Sequence, residues 1–423
     1  MEILSRARRQ RRGGLGHKYL RAIWIVCFLY GVTGGQAQIA DRLYKTDYKI
    51  DPNKKGELRL EIDNLSFFRD NEYAGGVMDG YSLPGLWIQP KAAYYPLENI
   101  KLEAGVHMLR YWGANKYPNM AYQDIAVWKG DQYQHGLHVL PFFRAQIAVS
   151  KQVNIVLGDI YGGANHQLIE PLYSPELNLT DDPEAGLQLL YSAKPADVDI
   201  WVNWQSFIFR KDIHQEAFIV GLSTRFKLNA SDSRFHFYLP LQGVIQHRGG
   251  EIDTIYTHSV QTLMNGAIGI GGIWNTHRSV VKQVNVELDG TGYYQQAGVL
   301  WPFDQGAGFY ARASADIYDF RVKTSYFAGH NFISMLGLPF YGAVSTKKEG
   351  VTYRNPQLVY FGLEYSRSFG KGYALGIDVD VYQRLAGSAA DPEKGMYREG
   401  GSTSFSFGIS FRIHPSFLIK KFD

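Results

Sequence analysis

The sequence predicts an all-β chain, a transmembrane antiparallel β-barrel of about 16 strands with short turns at one end and long loops at the other. Three observations predict it. Apolar and polar residues alternate with period two almost throughout, whereas helical spacing at three and four is hard to find. The links between alternating segments are short and long in turn. Finally, the two faces of each segment differ in kind, one greasy and the other polar or charged.

In chain order, a basic start (Arg6 to Arg21), an apolar run from Ala22 and Gly35-Gln36-Ala37 read as a signal peptide over 1–37. Residues 38–56 are expected as a short periplasmic N-terminal segment, too small to fill a lumen. The barrel is placed at 57–413 and a periplasmic tail at 414–423. Within it, alternating segments fall near 57–69, 85–96, 100–113, 136–150, 152–162, 185–194, 197–210, 215–229, 234–247, 262–275, 280–291, 306–318, 319–329, 357–369, 373–384 and 402–413. Most reach the roughly 9–11 residues that a tilted strand needs to cross a bilayer.

Glu98-Asn99, Lys151-Gln152 and Gly370-Lys371-Gly372 are short links. Ala114 to His135, Gly163 to Glu184 and His330 to Pro356 are long ones. Phe235, Phe237, Leu239 and Leu241 share one strand face, and His236, Gln242 and Gln246 the other. Lipid on the greasy side and water on the polar side account for both. An Arg turned to lipid at mid-depth would cost about 2–4 kcal/mol, so Arg144, Arg225, Arg312 and Arg412 are expected to face inward.

Charge and cysteine content exclude several classes. The chain carries 44 Lys+Arg and 40 Asp+Glu; removing the seven bases and one acid of the signal leaves 37 against 39, a net of −2. Basicity therefore gives no reason to expect nucleic-acid binding. The single cysteine, Cys27, leaves with the signal, so neither disulfides nor thiolate chemistry are expected. No nucleophile elbow, phosphate loop or H-E-x-x-H is present. His135 and His138, three apart, would point to opposite strand faces, which disfavours shared metal ligation. No metal, cofactor or catalytic activity is expected.

The inward charges are the leading functional signal. Bases cluster on the eighth, twelfth and thirteenth segments (Arg225 and Lys227; Arg312; Arg321 and Lys323), with Arg144 and Arg412 elsewhere. Asp378 and Asp380 mark the fifteenth. Walls of opposite sign would set a field across a lumen; equally, such charges could pair and hold the wall together.

Three resemblances add to this reading. Ser406 to Ile413, with Gly408, Phe411 and Ile413 in place, resembles the C-terminal assembly signal of bacterial outer-membrane barrels, although ten residues follow it. The resemblance implies a barrel-assembly machinery as partner and the cell outer membrane of a Gram-negative bacterium as location. The Ala37-Gln38 junction and the run Gly162 to Tyr173 resemble exported barrels of the Bacteroidetes type. By strand order, Gly163 to Glu184 is similar to the constriction loop of general porins, which would place Glu170, Glu176, Asp181, Asp182 and Glu184 in the lumen.

The function expected is a porin-like channel for passive diffusion of small hydrophilic solutes, embedded in outer-membrane lipid and possible as a homo-oligomer. Two rivals stay open: a non-conducting scaffold or interaction barrel within an uptake or export complex, and a barrel enzyme. A rim histidine beside Ser or Asp would mark the enzyme.

Overall fold

The computed structural model describes residues 39, 43–112, 137–207, 215–250, 260–370 and 372–422. The expected signal peptide and His135 lie outside the described residues.

The strands are β1 (Glu57–Glu72), β2 (Tyr81–Leu97), β3 (Ile100–Tyr111), β4 (His138–Ala148), β5 (Val153–Asp159), β6 (Ala185–Ser192), β7 (Ala196–Ser206), β8 (Ala217–Lys227), β9 (Phe235–Arg248), β10 (Gln261–Asn275), β11 (Val281–Ala297), β12 (Gln305–Ile317), β13 (Phe320–His330), β14 (Gln357–Gly370), β15 (Tyr373–Arg384), β16 (Gly387–Asp391), β17 (Gly395–Glu399), β18 (Ser402–Ile413) and β19 (Ser416–Lys421). Each stave pairs antiparallel with the next. β18 closes on β1 through Asn64↔Ile413 to Glu72↔Phe405, giving a closed barrel of 16 staves. Closure removes the open sheet edge, which hydrocarbon does not tolerate. β16 and β17 form a separate hairpin in the loop between β15 and β18.

The facing follows the sequence pattern. On β18, Phe405 is 52% exposed on the outer side while Ser406 beside it is fully buried. Gly408 sits inward because a Cβ there would lie 2.4 Å from Asp378 Oδ1, so the bare backbone makes room for that carboxylate. Gly271 on β10 has the same logic: the Tyr238 ring lies where its side chain would be.

Both chain ends depart from expectation. Residues 43–48 do not hang free but run along the inner wall. Arg412 donates to the carbonyls of Leu43 (2.8 Å) and Lys45 (3.0 Å), and Gln146 Nε2 donates to that of Tyr48. Leu43 is completely buried beside Ala374. A short segment can do this because wall side chains satisfy its backbone polar groups. Residues 416–421, expected as a tail, instead form β19, which continues the line of β18 past Pro415 and pairs with Glu57–Glu61 of β1.

Candidate functional site

The lumen is occupied by chain. Two of the long loops, 160–184 and 331–356, fold inward and pack on each other. Tyr173 and Leu336 bridge in parallel, Ser174 N–H donates to Leu336 O at 2.8 Å, and Ser334 Oγ donates to Pro171 O at 2.7 Å. Ile169, Leu172, Phe332, Ile333, Phe340 and Tyr341 are all 0–1% exposed and form one apolar cluster with wall residues such as Val244 and Phe327. Burying side chains of this size is worth about 1.5–3 kcal/mol each. That gain must offset a buried irregular backbone, and the wall amides supply its missing partners. Asn265 donates to Ile333 O (2.8 Å) and accepts from Met335 N–H (2.9 Å). Gln242 does the same for Gln167 O and Ile169 N–H, and Gln188 for Tyr161.

Beneath this plug lies an ionic cluster around a cavity of about 40 Å³. Arg69 of β1 donates to Asp378 Oδ2 and Asp380 Oδ2, each at 2.7 Å, and lies 3.6 Å from Glu176 Oε2. Lys323 reaches Glu364 Oε1 at 2.6 Å and Glu170 Oε1 at 3.7 Å. Tyr360 Oη donates to Asp380, and Tyr341 Oη to Glu170. Glu176 also accepts from Tyr81 Oη (2.7 Å) and Asn71 Nδ2 (2.9 Å). Burial pushes the Glu176 carboxyl up, against the pull of Arg69 and these donors.

The other residues singled out from the sequence are paired locally rather than arrayed along a water path. Arg312 bonds Glu287, Arg321 bonds Asp316, and Lys227 bonds Asp197 at 2.8 Å. Arg144 meets Glu103 at 3.3 Å and covers the Tyr161 ring, while Arg225 covers the Tyr238 ring. Arg412 joins Asp63. Asp182 accepts from His138 Nδ1 at 3.2 Å, and Asp181 caps the one-turn helix Leu177–Thr180 through its backbone. Glu184 and Asp199 clamp the two ring nitrogens of His166 at 3.1 and 2.7 Å, and the ring stacks 3.5 Å from Trp201. Burial lowers the His166 pKa, but the two carboxylates outweigh it and raise the value to about 10. His166 is therefore a fixed imidazolium, with no free nitrogen to act as a base. Among the described residues, no group of three or more His, Cys, Asp or Glu side chains could hold a metal ion.

Rim histidines are the remaining chemical signal. His138–Asp182 lies inside the barrel. His247, on β9, lies on the outer face, where its Nε2–H donates to Gly249 O and its Nδ1 accepts from Thr262 Oγ1, both at 2.9 Å.

A family model for lipid A 3′-O-deacylase-type proteins matches residues 50–422, from just before β1 to the end of β19. The chain belongs to the lipid A 3′-O-deacylase-type family. Membership in this deacylase-type family corrects the expectation of a chain without catalytic activity, because the family is of an enzymatic type. No curated protein matches the deacylase-type chain. Similar solved structures are outer-membrane proteins. OmpT of Vibrio cholerae, in trimer form, is 9% identical over 85% of this chain and 99% of that one, with a TM-score of 0.43. OprD of Pseudomonas aeruginosa is 10% identical over 85% and 94%, at 0.43. OpdK of the same species, bound to vanillate, is 8% identical over 86% and 100%, at 0.45. The deacylase-type chain is an outer-membrane β-barrel, as its closed wall and apolar exterior require.

Sequence reasoning missed Arg69 and Asn265, the hubs of the cluster and the plug. Arg69 stands at the end of a segment whose alternation slips near Asn64-Leu65, and Asn265 in a Gly-rich strand. His247, which the sequence reads with the scattered histidines as polar lining or loop, faces outward instead and meets Thr262 through the β9–β10 register.

Proposed function

We propose that this chain is an outer-membrane hydrolase that removes an ester-linked acyl chain from a lipid A-type lipid. The observation that carries the reading is the family match over residues 50–422. The filled lumen supports it. A diffusion channel needs a continuous water path, but among the described residues the two loops bury Phe332, Ile333 and Tyr341 inside the barrel, and the cavity at the Arg69 cluster, about 40 Å³, has room for little more than water. A plug pinned by Asn265, Gln242 and Gln188 suits a rigid scaffold that presents chemistry at its rim and outer surface. The inward charges, open from the sequence to either a field across the lumen or pairing within the wall, then serve to join wall, plug and N-terminal segment.

The test is mass spectrometry of lipid A from cells that make a 3′-O-acylated form, with and without the protein. The proposal expects a species lighter by one acyl chain only when the protein is present. An unchanged lipid A profile from cells with correctly assembled barrel would overturn it.

A further inference from the structure

Strands β7 to β10 place one outward residue each in a single row near the long-loop end. Trp204 pairs with Phe218, Phe218 with His247, and His247 with Thr262. The facing is fixed by alternation: Leu241 and Ile245, six and two residues before His247, are both 37% exposed on the outer wall, whereas Gln246 and Arg248 are buried inside. Trp204 stacks on Phe218 with ring centroids 5.0 Å apart, and Phe218 lies 4.9 Å from the His247 ring. Aromatic rows of this kind mark the height where the apolar band of a barrel meets the polar layer. An ester that joins an acyl chain to a sugar lies at that same height, with the chain below and the sugar above.

We propose that Thr262 and His247 are the nucleophile and general base of a lipid-facing acyl-ester site on the outside of the barrel wall. The proposal rests on the deacylase reading above. The geometry has three parts. The Gly249 carbonyl takes the Nε2–H at 2.9 Å, which fixes the tautomer and leaves the Nδ1 lone pair facing Thr262 Oγ1. The hydroxyl and the imidazole are held 2.9 Å apart by two paired strands rather than by a loop. Beside the pair, Phe218 and Trp204 form an apolar shelf for an acyl chain.

In the first step Thr262 Oγ attacks the ester carbonyl carbon and its proton passes to His247 Nδ1. The bond from that carbon to the sugar oxygen breaks, and the departing oxygen takes the proton from the imidazolium. Water then attacks the acyl-threonine carbonyl, giving its proton to Nδ1; the Thr262 oxygen leaves with that proton, and a free fatty acid is released. One ester and one water become one alcohol and one acid.

The full-length protein and its variants are assayed on lipid A in mixed micelles, with heat-modified gel mobility as the check on folding. T262V and H247Q are expected to lose at least about 100-fold in turnover, the usual contribution of a positioned acid–base group, while T262S keeps its activity. A reaction quenched early should carry one acyl chain on the peptide containing residue 262. Folded T262V and H247Q cleaving at the wild-type rate, with no adduct, would overturn this site and leave the deacylase reading standing. A wild-type protein that releases no fatty acid would remove both.

Discussion

Arg69 Nη1 lies 2.7 Å from Asp378 Oδ2, joining β1 to β15 across the β18 stave that closes the barrel. The same guanidinium holds Asp380 and approaches Glu176 of the plug, so one side chain links closure, wall and lumen filling. Its removal strands two aspartates in a buried site. Replacing Arg69 by Met should cost about 3–5 kcal/mol, the range for breaking a buried pair from one side. Urea unfolding of the barrel in lipid vesicles reads this as a lowered midpoint; an unchanged midpoint would mean the pair contributes nothing to stability.

His166 gives stability a pH dependence. Its folded pKa is raised to about 10, above the roughly 6.5 of an unfolded imidazole. The contribution is therefore complete below about 6.5 and is lost as pH rises through about 10. Wild type should unfold more easily at the alkaline end of that window. H166Q should be less stable at neutral pH and show a flatter profile there. Parallel profiles for the two proteins would contradict the clamped imidazolium.

Gly271 lies under the Tyr238 ring, whose hydroxyl donates to Glu287 at 2.5 Å; a Cβ on residue 271 would come within 2.1 Å of the ring. G271V should displace the ring, break that bond and cost about 1–3 kcal/mol through overpacking. G272V, whose Cβ meets only Phe237 ring atoms at 3.4 Å, should cost much less. Comparison of the two unfolding midpoints separates a specific contact from a general intolerance of side chains in this strand.

The plug predicts an electrical result. In planar bilayers the intact protein should show no steady conductance. A variant with residues 332–345 cut out should open steps, since those residues carry Phe332, Ile333, Phe340 and Tyr341. Alanine at Arg312, Arg321 or Lys323 should lower stability without setting ion selectivity, because each is held by an acid. Steady wild-type conductance whose selectivity follows these bases would restore the channel reading.

The strands and their facing were legible because lipid on one side and polar interior on the other impose period two, as Ser402 to Ile413 displays with almost no exception. The destination of the loops was less so. Inward Gln242, Gln188 and Asn265 read alike whether they face water or a buried backbone, since an amide serves both. Their partners, Ile169, Tyr161 and Ile333, lie 27 to 73 residues away in the chain. The inward charges posed the same ambiguity, and only pairing across neighbouring strands, as in Arg321–Asp316 and Lys323–Glu364, shows them bound to one another. The N-terminal segment reads from the sequence as a short periplasmic piece too small to fill a lumen, yet Arg412, Gln146 and Asn165 hold Leu43 to Tyr48 inside. The proposed His247–Thr262 pair left no linear motif, because it is assembled by strand register.

The most direct measurement places purified, folded protein in vesicles that contain 3′-O-acylated lipid A and a small entrapped sugar, and follows both fatty-acid release and sugar leakage. Stoichiometric release of one acyl chain per lipid, with the sugar retained, is the expected result. Rapid sugar loss with every acyl ester intact would contradict it.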